Sequence, residues 1–357
     1  MTSAERWSAE HIPDQDGRLF VVTGANSGLG LATTRALARK GARVILAVRD
    51  EDKGRRAVAQ ITAERPDARL EVRRLDLTDT ASVHAFADRL KSDGVRPDVL
   101  VNNAGVMAPP RTLTAEGAEL QFAANHLGHF ALTGLLLEAM TDGDDPRVVT
   151  VTSVNHRRAR MFFDDPTGER SYSPMGRYNQ SKLATAVFGY ELHRRLTAAG
   201  SPVRSVLAHP GYTATGLQTS APVARVGLLF GRLLLPLAQS PDQGALPQLY
   251  AATAPDARGG ELYGPDGPGE LRGAPRQVEV AWRATDPQTA DRLWRLSEQL
   301  TGVRFAPGHR LRPTAAVTAL SRSAAPEPAG RRPTATTTPG STRSSKGTSL
   351  IQRLRGP

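Results

Sequence analysis

The sequence predicts an α/β protein built on a single doubly wound parallel sheet flanked by helices. Short apolar, β-branched runs alternate with amphipathic stretches of helical period from Arg18 to about Leu207. This alternation implies parallel strands joined by right-handed crossovers. The chain has 357 residues, of which 39% are hydrophobic, enough for one large domain with a sizeable core. Functional residues are expected at the carboxyl ends of the strands, where such sheets bind their ligands.

The periodic segments give six strands with helices between them, and the whole sheet is expected to have about seven. Strands are predicted over Leu19–Thr23, Arg43–Val48, Leu70–Leu75, Val99–Asn102, Val148–Thr152 and Val203–Leu207. Helices are predicted over Leu29–Lys40, Asp52–Glu64, Ala81–Lys91, Glu116–Met140, Tyr178–Ala198, Gln243–Thr253 and Pro287–Leu300.

The region after Pro210 has a looser pattern, and two interpretations of its most apolar part stay open. Val223–Ala238 contains many large aliphatic side chains together with two Arg residues. It is either a buried helix or a segment that covers a substrate with its apolar side. Its position directly after the Pro210-Gly211 turn favours the second interpretation, so residues 211–240 are predicted to be a variable, substrate-covering region.

The net charge of +11 is concentrated at the C-terminus. Residues 308–357 contain nine Lys and Arg residues and one acid, Glu327, so the first 307 residues carry only +3. This basic tail is rich in Pro, Ser, Thr and Ala and has no helical or strand period, which predicts disorder. It also lacks the aromatic residues on which bases stack, and no nucleic-acid partner is expected for the folded domain.

The remaining bulk features indicate a cytoplasmic protein without a membrane span. Residues 1–16 are predicted to be a polar N-terminal extension, and residues 17–307 the folded domain. No run approaches the roughly 18 apolar residues of a transmembrane helix. Met1–Gly17 lacks the apolar stretch of a signal peptide. The absence of cysteine excludes disulfides and thiolate chemistry.

The first predicted strand runs into a glycine-rich turn that precedes a helix. The turn reads Thr23-Gly24-Ala25-Asn26-Ser27-Gly28-Leu29-Gly30. Gly24 permits a tight exit from the strand, Gly28 a close approach of the backbone to a pyrophosphate, and Gly30 close packing of helix on strand. The helix N-terminus offers free N–H groups and a partial positive charge. The spacing differs from G-x-G-x-x-G, but the strand–turn–helix context predicts dinucleotide binding.

Arg49 follows the second predicted strand, at the position that distinguishes the two nicotinamide dinucleotides. An acid here binds the ribose 2′-hydroxyl of NAD(H), whereas an Arg accommodates the 2′-phosphate of NADP(H). Arg49, with Lys53 four residues later, favours NADP(H) over NAD(H), although Asp50 weakens the local positive potential. The alternative is that both cations are solvated charges at the start of a helix.

Tyr178 and Lys182 lie four residues apart in a predicted helix, so their side chains share one face. A neighbouring ammonium favours the phenolate and is expected to lower the pKa of Tyr178 from its usual value of about 10. Such a phenol can give a proton to a carbonyl oxygen or take one from an alcohol. Ser153 follows the strand Val148–Thr152 and is a candidate to join this pair.

These residues together resemble the motif set of the short-chain dehydrogenase/reductase family. The matching motifs are Thr23-Gly24-x-x-x-Gly28-x-Gly30, Asn102-Asn103-Ala104-Gly105, Asn125, Ser153 and Tyr178-x-x-x-Lys182, in the family's order and spacing. The resemblance covers about residues 17–307 and implies a single Rossmann-type catalytic domain. The runs Asn125–Phe130 and Ala47–Asp50 look most like the retinol-dehydrogenase and protochlorophyllide-reductase-like branch, whose members commonly use NADP(H).

The resemblance implies a role for each matching residue. Tyr178 would be the general acid in carbonyl reduction and the general base in alcohol oxidation. Lys182 would lower its pKa and hold the nicotinamide ribose, and Ser153 would orient the oxygen of a small-molecule substrate, expected to be an apolar ketone or aldehyde. Asn125 would complete a proton relay through water. The implied cofactor contacts are Thr23, Gly24, Asn26, Ser27, Gly28, Leu29, Gly30, Arg49, Lys53, Asp76, Leu77, Asn103, Ala104, Gly105, Tyr178, Lys182, Pro210, Gly211 and Thr213.

Three of these residues have structural alternatives. Ser153 could be an ordinary turn serine at a strand end. Asn125 could bond the backbone of its own helix. Asp76 could cap the next helix, a role that Thr78 or Asp79 could also fill.

No metal site is predicted. His156 and His209 have no carboxylate or second His at ligand spacing, so both are expected to be structural or substrate-lining. The acidic run Asp142–Asp145 is too short for a calcium loop and is interpreted as a solvated turn between a helix and a strand.

Two other classes of function stay open beside the enzyme. A cofactor-binding regulator that has lost catalysis is disfavoured, because Tyr178, Lys182 and Ser153 are all present. Alternatively, the basic tail could tether an enzyme to an anionic partner. The family forms oligomers through helices corresponding to 116–140 and 178–198, although this branch also contains monomers, so both states are considered. Substrate identity and the physiological direction do not follow from the sequence.

Overall fold

In the residues that the computed structural model describes, 6–213 and 238–305, eight strands form one sheet. The strands are β1 (Leu19–Thr23), β2 (Arg43–Val48), β3 (Arg69–Arg74), β4 (Val99–Asn102), β5 (Arg147–Val151), β6 (Arg204–Ala208), β7 (Leu262–Pro265) and β8 (Pro275–Val278). Their order is β3-β2-β1-β4-β5-β6-β7-β8, and only β8 runs antiparallel to its neighbour. The predicted doubly wound parallel sheet is confirmed, with eight strands rather than about seven.

Helices cover both faces of this sheet. They are α1 (Gly28–Arg39), α2 (Glu51–Glu64), α3 (Thr80–Ser92), α4 (Leu120–Phe122), α5 (Gly128–Met140), α6 (Pro174–Ala198), α7 (Pro241–Gly244), α8 (Leu246–Thr253), α9 (Trp282–Thr285) and α10 (Pro287–Thr301). A π-helical turn, Ala123–Leu127, joins α4 to α5, and a 3₁₀ helix, Val154–Arg158, follows β5. None of the described helices is both long and apolar enough to cross a bilayer.

The order of the strands places a ligand crevice between β1 and β4. The chain winds outward from β1 to β3 and then returns to the other side of β1 with β4. At such a switch point the loops after the two strands separate and leave a crevice at their carboxyl ends. The residues that follow β1 and β4 are Gly24 and Asn103, which belong to the predicted phosphate turn and to the predicted cofactor-lining loop.

Side chains at alternating positions of a strand contribute to two separate hydrophobic cores, one on each face of the sheet. Phe20 and Val22 pack with α1, α2 and α8 on one face, whereas Leu19 and Val21 pack with α3, α5 and α6 on the other. All five residues of β1 are buried. A central parallel strand that is covered on both faces has a continuous apolar sequence, so β1 could be predicted from the sequence.

The structure changes several predicted boundaries. The predicted strands β3, β5 and β6 each begin one residue away from the observed ones, and α6 begins at Pro174 rather than at Tyr178. The predicted helix Glu116–Met140 is wrong as a single element, because it starts at Leu120 and a π-helical turn interrupts it. The pair β7 and β8 was missed. These four-residue strands contain Pro and Gly, which carry little strand signal.

Two predicted regions lie outside the residues that the structure describes, and a third is described in part. The predicted covering segment Val223–Ala238, apart from Ala238, and the tail 308–357 lie outside the described residues. The described part of the N-terminal extension packs against the core cluster that includes residues of α1 and α8. Ile12 is only 2% exposed, and the Trp7 ring lies edge-on to that of Tyr250 at 5.2 Å.

Helix α10 packs across α5 and α6 and closes one side of the domain with aromatic rings. The Trp294 ring lies 5.2 Å from that of Phe130, and the Phe305 ring lies 4.8 Å from the same side chain. The Arg195 guanidinium stacks over Trp294 at 4.1 Å from the ring centroid. This packing covers part of the surface of α5 and α6.

Asp145 corrects the interpretation of the acidic run 142–145 as a solvated turn. The Asp145 carboxylate bonds the guanidinium groups of Arg147, whose side chain is fully buried, and of Arg204. Burial by itself would raise the pKa of Asp145, but the hydrogen bonds from Arg147 and Arg204 outweigh it and lower the pKa. The cluster lies at the amino ends of β5 and β6, opposite the crevice, so it serves stability.

Replacing Asp145 by Asn is expected to lower the free energy of unfolding by about 3 kcal/mol, because the buried Arg147 loses its counter-charge. That figure is at the low end for a broken buried pair, since the Asp145 side chain is itself 34% exposed. Asp145 has a positive φ of 50°, which Asn tolerates, so the variant isolates the charge. Urea denaturation is the measurement. Asp142→Asn, which loses only an exposed pair with Arg96, is the control and should change stability by less than about 1 kcal/mol. Equal losses in both variants would contradict this account.

Candidate active site

The turn after β1 has the geometry of an anion site. Gly24 and Gly28 have φ values of 65° and 53°, in the left-handed region that glycine adopts without strain. Helix α1 then begins, with Ser27 as N-cap residue making no side-chain capping bond and no acid in its first turn. The first N–H groups of the helix are therefore free to bind an anion, and the helix dipole adds to the attraction.

The loop after β4 is tied to this turn through Thr23. The backbone N–H groups of Asn103 and Ala104 both donate to the Thr23 hydroxyl at 2.9 Å, and the Asn103 side-chain amide donates to the Thr23 carbonyl at 2.8 Å. A Cβ at Gly30 would lie 2.7 Å from that amide, which confirms the predicted close packing at Gly30. The Gln248 side-chain amide of α8 donates to the side-chain oxygen of Asn103 at 3.2 Å. Gln248 was not predicted from the sequence.

The two predicted phosphate-binding cations differ in their surroundings. Lys53 lies 3.5 Å from the Asp50 carboxylate, and the same carboxylate caps α2 by accepting from the Lys53 backbone N–H at 3.0 Å. This capping bond is the main cause that lowers the pKa of Asp50. Arg49 is exposed and makes no ion pair with any residue in the described ranges. Arg49 is therefore the cation that a 2′-phosphate could reach without breaking a pair.

Asp76 does not cap a helix, so that alternative is wrong. Asp79 caps α3 by accepting from the Ser82 backbone N–H at 3.2 Å. The Asp76 carboxylate instead accepts from the backbone and the hydroxyl of Thr78, at 2.9 and 2.6 Å. Next to it, Leu77 touches α5, where a Cβ on Gly128 would lie 2.7 Å from the Leu77 Cβ.

Tyr178, Ser153 and Lys182 meet at the carboxyl end of β5. The Tyr178 and Lys182 side chains are 7% and 5% exposed. The Ser153 side chain lies close enough to the Tyr178 phenol to lower its pKa, and it accepts from the Asn155 backbone N–H at 3.3 Å. Ser153 is thus both a turn serine and a partner of Tyr178. The Lys182 ammonium donates to the Val151 carbonyl at 3.1 Å.

The predicted direction of the Tyr178 pKa is wrong for this structure. Burial raises the pKa of Tyr178 to about 12, and only the nearby Ser153 side chain opposes the increase. The Lys182 ammonium lies 6.0 Å from the centroid of the phenol ring, and burial lowers its own pKa to about 8. Desolvation therefore decides the pKa of Tyr178, and the lowering by Lys182 that their spacing suggested does not occur in this structure. A protonated Tyr178 is suited to donate a proton.

Asn125 lies in the π-helical turn Ala123–Leu127 and bonds outside its own helix, so its structural alternative is also wrong. Its side chain accepts from the Val106 N–H at 2.8 Å and donates to the Val106 carbonyl at 3.0 Å. It also donates to the Ser181 hydroxyl at 2.9 Å, and Ser181 donates to the Tyr178 carbonyl at 2.7 Å. Asn125 therefore joins the loop after β4 to α6.

The segment after β6 is held by the turn between β7 and β8. Gly211 has a φ of 68°, and a side chain there would collide with the Leu271 carbonyl. The Tyr212 N–H donates to the same carbonyl at 2.7 Å. The Thr213 hydroxyl donates to the Pro210 carbonyl at 3.0 Å, which closes the turn.

Glu270, in that β7–β8 turn, links two parts of the site and was missed in the sequence. Its carboxylate bonds the fully buried His209 at 2.9 Å and Arg157 at 2.9 Å. Burial would raise the pKa of Glu270, but the bonds from His209 and Arg157 lower it to about 2. His156 bonds the Ser153 carbonyl at 2.6 Å. Glu270 could not be predicted from the sequence, because the strands β7 and β8 on either side of it have no recognisable strand pattern.

The geometry of the site defines a class of protein. An anion-binding turn at the switch point fits the pyrophosphate of a dinucleotide. A buried phenol beside a serine hydroxyl, with an ammonium one helical turn away, fits proton transfer at a carbonyl oxygen. Fold and site together define a dinucleotide-dependent oxidoreductase.

Comparison with known proteins makes the assignment specific. The family model for short chain dehydrogenases matches residues 18–224. Retinol dehydrogenase 12 of Mus musculus is 38% identical over 291 residues, which cover 81% of this chain and 88% of that protein. Polyprenol dehydrogenase of Mus musculus is 41% identical over 298 residues, with coverages of 82% and 86%. An uncharacterized protein from Mycobacterium Paratuberculosis has a solved structure that is 44% identical, with a TM-score of 0.71, and covers 85% of this chain and 100% of its own.

This chain belongs to the short-chain dehydrogenase/reductase family and to its retinol-dehydrogenase-like branch. It is an oxidoreductase that acts on CH–OH groups.

Proposed function

We propose that the protein is an NADP(H)-dependent oxidoreductase that interconverts a carbonyl and an alcohol on an apolar substrate. Tyr178 exchanges the proton, Ser153 orients the substrate oxygen, and Lys182 holds the cofactor ribose and keeps a positive charge near the phenol. The observation that carries the proposal is that Ser153, just after the end of β5, lies beside the buried Tyr178 phenol, with the buried Lys182 one helical turn away.

Each step of proton handling follows from the positions of these side chains. A bound nicotinamide would supply or accept the hydride. In reduction, the Tyr178 O–H donates its proton to the carbonyl oxygen, while the Ser153 hydroxyl fixes that oxygen by a second hydrogen bond. The other two ammonium protons of Lys182 remain available, since one is donated to Val151. Because the three side chains are largely buried, water competes little for these bonds.

The substrate class is proposed from the two relatives and from the sequence. Their names refer to retinol and polyprenol, which are both apolar isoprenoid alcohols. The apolar run Val223–Ala238 of this chain is consistent with a substrate of low polarity. An isoprenoid primary alcohol and its aldehyde are therefore the substrate pair to test first.

The direct test is turnover by the purified full-length protein. With NADPH, an isoprenoid aldehyde such as retinal or farnesal should be reduced faster than a polar sugar aldehyde, as followed by the loss of reduced-nicotinamide absorbance. NADPH binding without turnover of any carbonyl compound would contradict the proposal. It would support the alternative that the protein is a cofactor-binding regulator that has lost catalysis.

The proposed preference for NADP(H) depends on Arg49. Its guanidinium follows β2, is exposed and has no ion-pair partner among the described residues, so it can bind a 2′-phosphate in bidentate fashion. Lys53 adds less, because it is already paired with Asp50. Asp50 points its carboxylate at the start of α2, where it caps the helix.

Replacing Arg49 by Ala is expected to raise KM for NADPH about 10- to 100-fold, the effect of one lost charge-assisted pair. KM for NADH should stay within about threefold, because NADH lacks the phosphate that the guanidinium binds. Initial-rate kinetics with both cofactors measure the difference. Arg55→Ala is the control, since Arg55 is a similarly exposed arginine paired with Asp52 in α2. A parallel loss with NADPH and NADH would argue against a phosphate role for Arg49.

A further inference from the structure

His129 is a buried histidine in the first turn of α5 that has no role in the chemistry described above. It is 2% exposed. Its Nε2 lies 2.9 Å from the Thr23 hydroxyl, and its Nδ1 lies 3.0 Å from the Asn125 carbonyl. The imidazole therefore stands between the phosphate-binding turn and the π-helical turn that carries Asn125.

The partners of His129 determine its tautomer. A carbonyl oxygen only accepts, so Nδ1 must carry the hydrogen that is donated to Asn125. Burial lowers the pKa of His129 to about 4, despite the bond to Asn125, so the ring is neutral at physiological pH. In the neutral ring with hydrogen on Nδ1, Nε2 is an acceptor. The Thr23 hydroxyl must then donate to His129.

The hydrogen bonds of Thr23 agree with this assignment. Its hydroxyl already accepts from the N–H groups of Asn103 and Ala104, both at 2.9 Å, which uses its two acceptor positions. Its single proton can go to His129 at 2.9 Å or to the Val101 carbonyl at 3.3 Å, and the shorter bond is the one to His129. Every donor and acceptor in this small network is then used in one consistent direction.

We propose that His129 is a positioning residue that couples the cofactor-binding turn to the proton-transfer side of the site. Through Thr23 it fixes the loop of Asn103 and Ala104. Through the Asn125 carbonyl it fixes the π-helical turn, whose Asn125 side chain bonds Val106 and Ser181 beside Tyr178. Because the imidazole ring is rigid, movement of the phosphate-binding turn is transmitted to the π-helical turn and the reverse. The cofactor and the Tyr178 phenol therefore keep a fixed relative position.

Two isosteric variants separate the two bonds of His129. In His129→Asn, the side-chain NH₂ takes the place of Nδ1 and still donates to Asn125, but the acceptor for Thr23 is lost. In His129→Gln, the side-chain oxygen reaches the place of Nε2 and still accepts from Thr23, but the donor to Asn125 is lost. Each variant therefore tests one end of the coupling.

The expected result is a crossed pattern. His129→Asn should raise the NADPH dissociation constant about tenfold and leave kcat at saturating NADPH within about threefold, as one unsatisfied buried group implies. His129→Gln should leave NADPH affinity within about threefold and lower kcat about tenfold or more. NADPH affinity is measured on the binary complex by fluorescence, so that half of the test does not need turnover.

Amide hydrogen exchange gives a readout independent of activity. Exchange should accelerate in residues 20–30 and 102–106 for His129→Asn, and in residues 120–132 for His129→Gln. The kcat arm and the choice of NADPH as ligand rest on the proposed function, whereas the exchange arm does not. If Tyr178 is not the acid, only the kcat arm fails; if His129 does not couple the two elements, the exchange pattern fails as well.

His126→Gln is the matched control. His126 is equally buried and lies three residues earlier, but its Nε2 bonds the Ser297 hydroxyl of α10 at 2.7 Å, away from the crevice. This variant should lower the melting temperature without the crossed pattern. Equal changes in both His129 variants, wild-type behaviour in both, or the same pattern in the His126 control would overturn the proposal.

Discussion

Replacing Tyr178 by Phe should reduce carbonyl turnover about 1,000-fold or more, because general acid–base catalysis typically contributes factors of this size. NADPH affinity should stay within about threefold, since the change removes one hydroxyl and leaves the ring in place. Single-turnover reduction and NADPH binding by fluorescence measure the two effects. Tyr190→Phe, a second tyrosine on α6, is the control and should retain activity. Persistent turnover in Tyr178→Phe would remove Tyr178 from the proton-transfer step.

The pKa of Tyr178 also predicts how the two reaction directions respond to pH. With a pKa raised by burial to about 12, the phenol is protonated at neutral pH and ready to act as an acid. Reduction should therefore be nearly independent of pH up to about pH 7, above which Lys182, whose pKa is lowered to about 8, progressively loses its charge. Oxidation needs the phenolate, whose fraction rises about tenfold per pH unit below the pKa. The kcat/KM for alcohol oxidation should increase with pH, and a flat oxidation profile between about pH 6 and pH 9 would contradict the raised pKa.

Replacing Gly30 by Ala should strongly weaken cofactor binding, because the added methyl group crowds the turn that is proposed to bind the cofactor. Gly30 has no positive φ, so the backbone accepts Ala. The added Cβ would, however, collide with the Gly24 carbonyl oxygen and lie 2.7 Å from the Asn103 amide and 2.8 Å from the Gly24 carbonyl carbon. Both neighbours belong to the cofactor cradle, so the turn must open. We expect NADPH affinity to fall about 100-fold and stability to fall by about 1–3 kcal/mol.

The control for this prediction separates crowding from site geometry. Gly54→Ala adds a methyl group 2.7 Å from the Val72 side chain and 2.9 Å from Val48, between α2 and the sheet. It should lower the melting temperature as Gly30→Ala does, but NADPH affinity should stay within about threefold. Thermal unfolding and NADPH titration of both variants give the comparison. Similar affinity losses in the two variants would mean that crowding anywhere near the sheet weakens the cofactor site.

The sequence by itself predicted the sheet up to β6 and most residues of the candidate site. Strands β1, β2, β4, β5 and β6 are recognisable because nearly all of their residues are buried, which leaves runs rich in apolar residues. The edge strand β3 has no fully buried residue. The helices between the strands keep a regular apolar period. The site motifs are equally local. Gly24, Gly28 and Gly30 lie within one turn, and Tyr178 and Lys182 within one turn of a helix. Such short-range patterns carry their structural meaning without knowledge of what packs against them.

Only the tertiary structure decided the features that depend on distant residues. Burial from all sides raises the pKa of Tyr178, which its four-residue spacing from Lys182 could not indicate. Asp145 bonds Arg204 at a separation of 59 residues, and Glu270 bonds His209 at a separation of 61. The π-helical turn at Asn125 likewise bonds Val106 and Ser181. Desolvation and long-range hydrogen bonds arise only when the chain has folded, so no local period of the sequence encodes them.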